Sequence, residues 1–439
     1  MKKYFLGLIT SFMFICGFCQ NYFLAAPEGY GAATSGGGNS AQVTVSTYAD
    51  LKANLKSAGA KVILVSGEIT IPANGVISEI ITDKSLIGLP GAKLINENQT
   101  TGAGILYLKL GSNNVIIRNL IFVGPGAYDI DGKDNLTADG ATNVWVDHCE
   151  FQDGQDGNFD IKGKADNISV SWCKFTYLKP PVAGGSGGSN DHRFSNLIGS
   201  SSTDAPVDGH YSITFQNNYW GEGIKGRMPR ARNAQLHILS SLFNTSVSGA
   251  TAIGLGGGIN NTTCYVENSN FKKVTTVYSP ASADGGTVAI NFVNSLKGTS
   301  NIGTVPPPNY TTTKIPVEQL ENVLTDATCG AGASLQVSST GEISSSVCTN
   351  LGSQNFTISS VKQMKTRVSE NTLFLYFPTK IEENIKVEIF SSTGQLLKTQ
   401  LMKEKYLSAI EVDIQPLNAG TYIARAVSEK YSFSGKFLK

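Results

Sequence analysis

Six eight-residue segments of one pattern recur through the middle of the chain: Val115 to Phe122, Val144 to Phe151, Ile168 to Phe175, Ile213 to Trp220, Leu236 to Phe243 and Cys264 to Phe271. Each places apolar residues at its first and third positions, a mostly small or amide residue at the sixth and an aromatic at the eighth. Alternation over a few residues marks a half-buried strand. The segment starts lie 29, 24, 45, 23 and 28 residues apart. With the longest interval counted as two turns the period is about 25 residues, too short for helix pairs and suited to a strand-rich solenoid of stacked coils. Cys149 and Cys173 share one repeat position on adjacent coils and are expected to stack inside.

A solenoid needs its ends covered. Ser46-Thr47 is placed to cap a short helix bearing Leu51 and Leu55 at i, i+4 spacing, an N-terminal plug. After the last coil a Pro-rich stretch (Pro306 to Pro308) leads into Ile315 to Leu324, expected as a helix lying over the stack. Cys329 and Cys348 flank a Ser/Gly-rich segment and are placed to close a local loop. From about Val361 the composition changes. Lys386 to Phe390 and Thr421 to Ala426 alternate like strands, with Ser-Thr-Gly and Asn-Ala-Gly turns between them. The fold class is therefore all-β, a solenoid followed by a small β-sandwich. The expected division is a leader over 1–26, the solenoid over 27–335, a linker over 336–360 and the sandwich over 361–439.

Composition agrees with short strands and turns. Charged residues are 16 % of the 439, below the usual share of about 25 %, and there are 47 glycines. A coiled coil, a disordered tail and a polytopic membrane protein are excluded on these grounds. The net charge is +1, so no global field points to nucleic acid, and any polyanion must meet a local basic patch. Lys2 and Lys3 precede the apolar run Tyr4 to Phe18, the layout of a secretory signal peptide, cleaved after Cys19 or Ala26. No transmembrane segment is expected in the mature chain. It would keep five cysteines, an odd number, so at least one thiol is free.

Several residues stand out as chemistry. Asp156 and Asp160 sit in DGNFD directly after a coil strand, and Asp134 lies 13 residues before Asp147. Hard oxygen ligands gathered on adjacent coils suit Ca²⁺, although Asp-Gly pairs are also ordinary turn residues. Arg227-Met-Pro-Arg-Ala-Arg232 puts three guanidinium groups in six residues. It reads either as a functional strand with alternate side chains on one face or as a solvated basic loop. His148 reads as a structural histidine.

The tracts NVWVDHCEF, DGNFDIKGKADNISVSWCKF, LIGSSS, ITFQNNYW and RMPRAR, in that order, resemble the pectate lyases of polysaccharide lyase family 1. The resemblance implies a right-handed parallel β-helix that cleaves polygalacturonate or low-methyl pectin by Ca²⁺-dependent β-elimination, leaving 4,5-unsaturated ends. It implies that Asp134, Asp156 and Asp160 are the calcium carboxylates, that Arg227 is the base and that Arg232 binds substrate. Asp147 and His148 match structural residues. Where the family commonly has a substrate-gripping Lys this chain has Phe194, and Arg193 or Lys179 is expected to replace it. A guanidine with a reference pKa above about 12 needs cationic neighbours to lose its charge, so an alkaline optimum follows. The C-terminal LNAGTYIARA and basic finish are similar to type A sorting domains of the type IX secretion system. That implies this machinery as a partner and a secreted or cell-surface location; a monomer is expected.

Three alternatives share the fold. A pectin lyase would act on methylated chains without calcium, and the three aspartates argue against it. A polygalacturonase needs carboxylates as acid and base, and only the calcium set falls in one cleft. A non-catalytic glycan-binding adhesin would have no use for Arg227 and all three aspartates.

Overall fold

The computed structural model describes residues 22–344 except 74, 100–102 and 131–133, and residues 362–439 except 383, 392–395, 404–406 and 429–431. Two compact units divide at Leu351 and Gly352. The first is a parallel β-solenoid made of one ten-stranded and two eight-stranded sheets. Successive coils add one strand to each sheet in turn, so apart from the first pair, Gln42–Val45 with Lys61–Val65, the neighbours in the three sheets are not consecutive strands.

The repeat explains this geometry. The first residues of its six segments align in one ladder, Val115 with Val144, Val144 with Ile168, Ile168 with Ile213, Ile213 with Leu236 and Leu236 with Cys264, so the longest interval is one coil with a long loop and not the two turns expected. Residues one and three of each segment point into the core, and the chain turns at the fifth. There Asn119, His148, Trp172, Asn217, Ser240 and Asn268 all take φ between +46° and +58°. Three of the six are Asn, whose short amide tolerates the left-handed region. The eighth residues then stack as a ladder of rings, Phe122, Phe151, Phe175, Trp220, Phe243 and Phe271. Their centroids are 4.8, 5.2, 5.6, 4.7 and 4.4 Å apart and their planes 10–13° from parallel. Each ring adds buried area and an offset-stacked contact to its neighbours.

Cys149, Cys173 and Cys264 are free buried thiols within this core. Cys329 is disulfide-bonded, and Cys348 lies outside the described residues. Thr47 caps the helix Tyr48–Lys56 by accepting the Asp50 N–H, and Leu51 and Leu55 plug the core as expected. The C-terminal helix is shorter than expected, Leu320–Leu324. Pro316 lies just before it, and proline holds the residue ahead of it in extended conformation. Ile315, Leu320, Val323 and Leu324 pack with Trp145, Trp172, Tyr22 and Leu24. Residues 336–344, expected as linker, form the hairpin Gln336–Val337 and Ile343–Ser344 instead. Leu335 and Val337 are apolar and bury against Val62, Leu64 and Ile87, which holds the segment to the solenoid.

The second unit consists of a three-stranded and a five-stranded sheet, antiparallel except where Lys362–Gln363 joins an edge. Leu373, Leu375, Val387, Ile389, Val412 and Ala424 form its own core. Among the described residues no helix is long and apolar enough to cross a membrane.

Candidate active site

Asp134 and Asp160 lie on adjacent coils. Asp134 precedes the strand Leu136–Asp139, and Asp160 sits within Phe159–Lys162. Their Oδ1 atoms converge over Gly157, each 2.9 Å from where a Cβ would stand, so no larger residue fits there. Asp134 is 2 % exposed; its Oδ2 accepts the Thr137 hydroxyl proton at 2.6 Å, while its Oδ1 is buried without a hydrogen-bond partner. Asp160 Oδ1 accepts the Leu197 N–H at 2.9 Å. Burial and then the Asp156 charge push the Asp134 pKa up to about 6, against the pull of Lys162, Thr137 and Arg227. Burial and the Asp134 charge likewise raise Asp160, with Arg227 pulling it down. Two buried carboxylates thus repel each other and the partly exposed Asp156, and the Asp134 Oδ1 between them has no partner. The Asp134 and Asp160 carboxylates fit a hard divalent cation, and Asp156, which is grouped with Asp129 and His192, would have to turn toward them to join as a third ligand.

Arg227 belongs to the same electrostatic group, because its charge acts on Asp134 and Asp160. Its backbone takes φ +56°, a strained region for a side chain of this size. Neighbouring coils hold it there: Asn196 N–H donates to the Arg227 carbonyl at 2.7 Å and Ser195 N–H to the Gly226 carbonyl at 3.0 Å. The guanidinium lies over the Phe194 ring, 4.5 Å from its centroid. Phe194, Lys225, Arg227 and Arg230 line one cleft of about 490 Å³, with Thr251 and Pro280 on its far side.

The other expected residues are engaged elsewhere. Arg232 is only 11 % exposed, with its Nε 3.0 Å from Asp284 and its Nη1 donating to the Gly199 carbonyl at 2.7 Å. Arg193 makes a two-pronged pair with Asp191, both contacts at 2.7 Å. Lys179 donates to Glu97 at 3.1 Å and to the Gly124 carbonyl at 2.9 Å. None of these three lines the cleft. Asp147 is fully buried between Arg118 at 2.7 Å, His148 at 2.8 Å and the Ser171 hydroxyl at 2.6 Å. Burial opposes its charge, yet His148, Arg118 and Ser171 outweigh that and hold its pKa below the usual carboxylate range.

Sequence reasoning missed Lys162, Lys225 and Asp284, and it counted Arg230 among the three guanidinium groups without giving it a role. Lys162 follows Asp160 by two residues, so strand alternation puts both on one face. Burial works against its charge, but Asp134 and Asp160 outweigh it and raise its pKa. The same alternation puts Arg230 beside Arg232, and Asp284 holds both. Asp284 itself carries no sequence signal, because it arrives from two coils away.

Comparison with known proteins identifies the family. Residues 2–355 match the family model described as pectate lyase, and residues 369–439 match that of a secretion system C-terminal sorting domain. The chain belongs to the pectate lyase family, a group of polysaccharide lyases. It is 33 % identical over 236 residues to a pectate trisaccharide-lyase of Thermotoga sp. strain RQ2, covering 51 % of this chain and 56 % of that protein. It is 32 % identical over 234 residues to a pectate lyase of Emericella nidulans, covering 51 % and 63 %. The chain thus spans less than two thirds of the length of these relatives. A solved pectate lyase from Paenibacillus sp. 0602 superposes with a TM-score of 0.54 at 19 % identity, covering 72 % of this chain and 97 % of that one. That likeness establishes the solenoid fold.

Proposed function

We propose that the protein is an exported pectate lyase that cleaves polygalacturonate by β-elimination with Ca²⁺ as cofactor. The observation that carries this reading is the convergence of the Asp134 and Asp160 carboxylates over Gly157, with the charges of Asp156 and Arg227 acting on both, beside a cleft lined by further cations. Bound Ca²⁺ would neutralise the carboxylate of the galacturonate residue undergoing reaction, which makes its C-5 proton easier to remove. A nitrogen of Arg227 in its neutral guanidine form accepts that proton and becomes the guanidinium, which is why an alkaline optimum is expected. The electron pair left behind forms the C4–C5 double bond as the C4–O4 bond breaks, and O-4 takes a proton from water, giving a 4,5-unsaturated end and a shortened chain that ends in a hydroxyl. Phe194 holds the Arg227 guanidinium in place by contact with its face. Lys225, which also donates to the Ser248 carbonyl, and Arg230, which also pairs with Asp284, line the cleft where neighbouring substrate carboxylates would lie. Arg232, fixed by Asp284, keeps the proposed substrate-binding role through its position next to this wall.

The matched sorting domain supports export by a type IX system, with a leader cleaved ahead of Tyr22 and a secreted or surface location as part of this reading. Polygalacturonate or low-methyl pectin is the substrate, and the active form is a monomer. The test is ultraviolet absorbance of unsaturated uronate ends on polygalacturonate, with and without chelator. Absorbance that rises only with Ca²⁺ supports the reading. Reducing ends without absorbance would mean hydrolysis, and absorbance indifferent to chelator would mean a calcium-free lyase.

A further inference from the structure

A second cluster lies beside the three aspartates. His192, on the segment that follows the Gly-rich loop, is 5 % exposed. Its Nδ1 lies 3.0 Å from Asp129 Oδ1 and its Nε2 lies 3.1 Å from Asp156 Oδ1. These contacts are short, yet neither ring nitrogen is aligned for a hydrogen bond, and both are buried without one. A buried polar group left in that condition costs about 1–3 kcal/mol, so two at once call for a ligand.

The surroundings hold the three side chains in place. The Asp129 carbonyl accepts the Gly187 N–H at 2.8 Å and its Oδ2 accepts the Ser189 N–H at 2.6 Å, which leaves Oδ1 toward His192. Gly185 and Gly187 permit this approach, since a Cβ at either would stand 2.0 or 2.1 Å from Asp129 oxygens. The His192 ring meets Phe194 edge-on, with centroids 4.6 Å apart. One ligand atom from each of Asp129, Asp156 and His192 lies within 4.8 Å of the others. That span is loose for an ion about 2.0–2.2 Å from each ligand, so binding would draw the carboxylates inward.

We propose that Asp129, His192 and Asp156 form a second cation site, which takes a borderline divalent ion of the Zn²⁺ type through two carboxylates and one imidazole nitrogen. The imidazole decides the class, because Ca²⁺ takes oxygen ligands whereas Zn²⁺ and its neighbours accept nitrogen. Asp156 is common to both groups, so the two cations would share one carboxylate. The inference stands apart from the proposed catalysis and is read by binding alone.

The test is calorimetric titration of the full chain with Zn²⁺ in a non-chelating buffer, with melting curves to confirm that each variant folds. The site predicts one equivalent of bound Zn²⁺. Affinity should fall about tenfold or more in His192→Ala and in Asp129→Asn, while Asp160→Asn keeps it. If His192→Ala fails to fold, Asp129→Asn carries the comparison. Absence of Zn²⁺ binding overturns the proposal and leaves the cluster as a clamp on the Gly-rich loop. Loss of binding in Asp160→Asn with none in the other two also overturns it, since the Zn²⁺ would then occupy the three-aspartate site.

Discussion

Arg227 and Phe194 form a stacked pair, with the guanidinium carbon 4.5 Å from the ring centroid. Phe194 lies on the coil before Arg227 and pairs by a parallel bridge with Gly226, so the backbone fixes the ring under the guanidinium. If the ring positions Arg227, Phe194→Leu keeps the bulk but loses the flat face. The expected result is a kcat lowered by about tenfold with little change in KM, since a 1.4 kcal/mol loss of orientation costs that much. Equal kcat in the variant would remove Phe194 from the mechanism.

Asp284 gathers Arg230 and Arg232, with both contacts at 3.0 Å. Its pKa is lowered: burial opposes the charge, and the two arginines outweigh it. Asp284→Asn keeps the shape and removes the charge. It should loosen both guanidiniums and raise KM for polygalacturonate several-fold, with a smaller effect on kcat. A kcat defect with unchanged KM would show that these arginines act in chemistry rather than in binding.

The acidic site has a definite pH signature. The Asp134 pKa is raised from 3.8 to about 6 in the fold. A carboxylate whose folded pKa is raised binds more protons folded than unfolded, so its contribution to stability falls as pH rises through that window. In chelator, wild type should lose stability relative to Asp134→Asn between about pH 4 and pH 6, by on the order of 1–3 kcal/mol. Calcium should close the gap at the upper end. Parallel melting curves with pH would argue that the carboxylates do not repel one another as described.

The start of the mature chain follows from packing. Tyr22 and Leu24 are each 3 % exposed, and the Leu24 carbonyl accepts from Arg118 at 3.1 Å. Cleavage after Ala26 would remove these contacts, and cleavage after Cys19 would keep them. N-terminal sequencing of the exported protein should therefore begin before Tyr22.

Each unit has a core of its own, so removal of residues 352–439 should leave a folded, active solenoid that is no longer exported. Loss of activity in the truncated chain would show that the solenoid depends on the second unit.

The solenoid was legible because its repeat carries a physical requirement at each position. Val144 and Ile168 fill the core, and the rings of Phe151 and Phe175 stack. The proposed calcium set came from the resemblance, and of its members Asp134 and Asp160 lie at strands of adjacent coils that pair with each other. Partners that arrive from remote segments were not legible. Nothing near Arg193 or Arg232 in sequence says that Asp191 and Asp284 satisfy them, and the resemblance offered Arg193 and Lys179 only as substitutes for a missing lysine. The cations that line the cleft, Lys225 and Arg230, stand out only once Phe194 is seen between the coils.

The central claim is that Arg227 removes the C-5 proton at the three-aspartate site. Steady-state kinetics of Arg227→Lys on polygalacturonate at saturating Ca²⁺ test it most directly. Lysine keeps the charge but not the planar guanidinium over Phe194. The account predicts a kcat lower by about 10²-fold or more, with KM within a few-fold of wild type. A near-normal kcat, or a defect confined to KM, would contradict it.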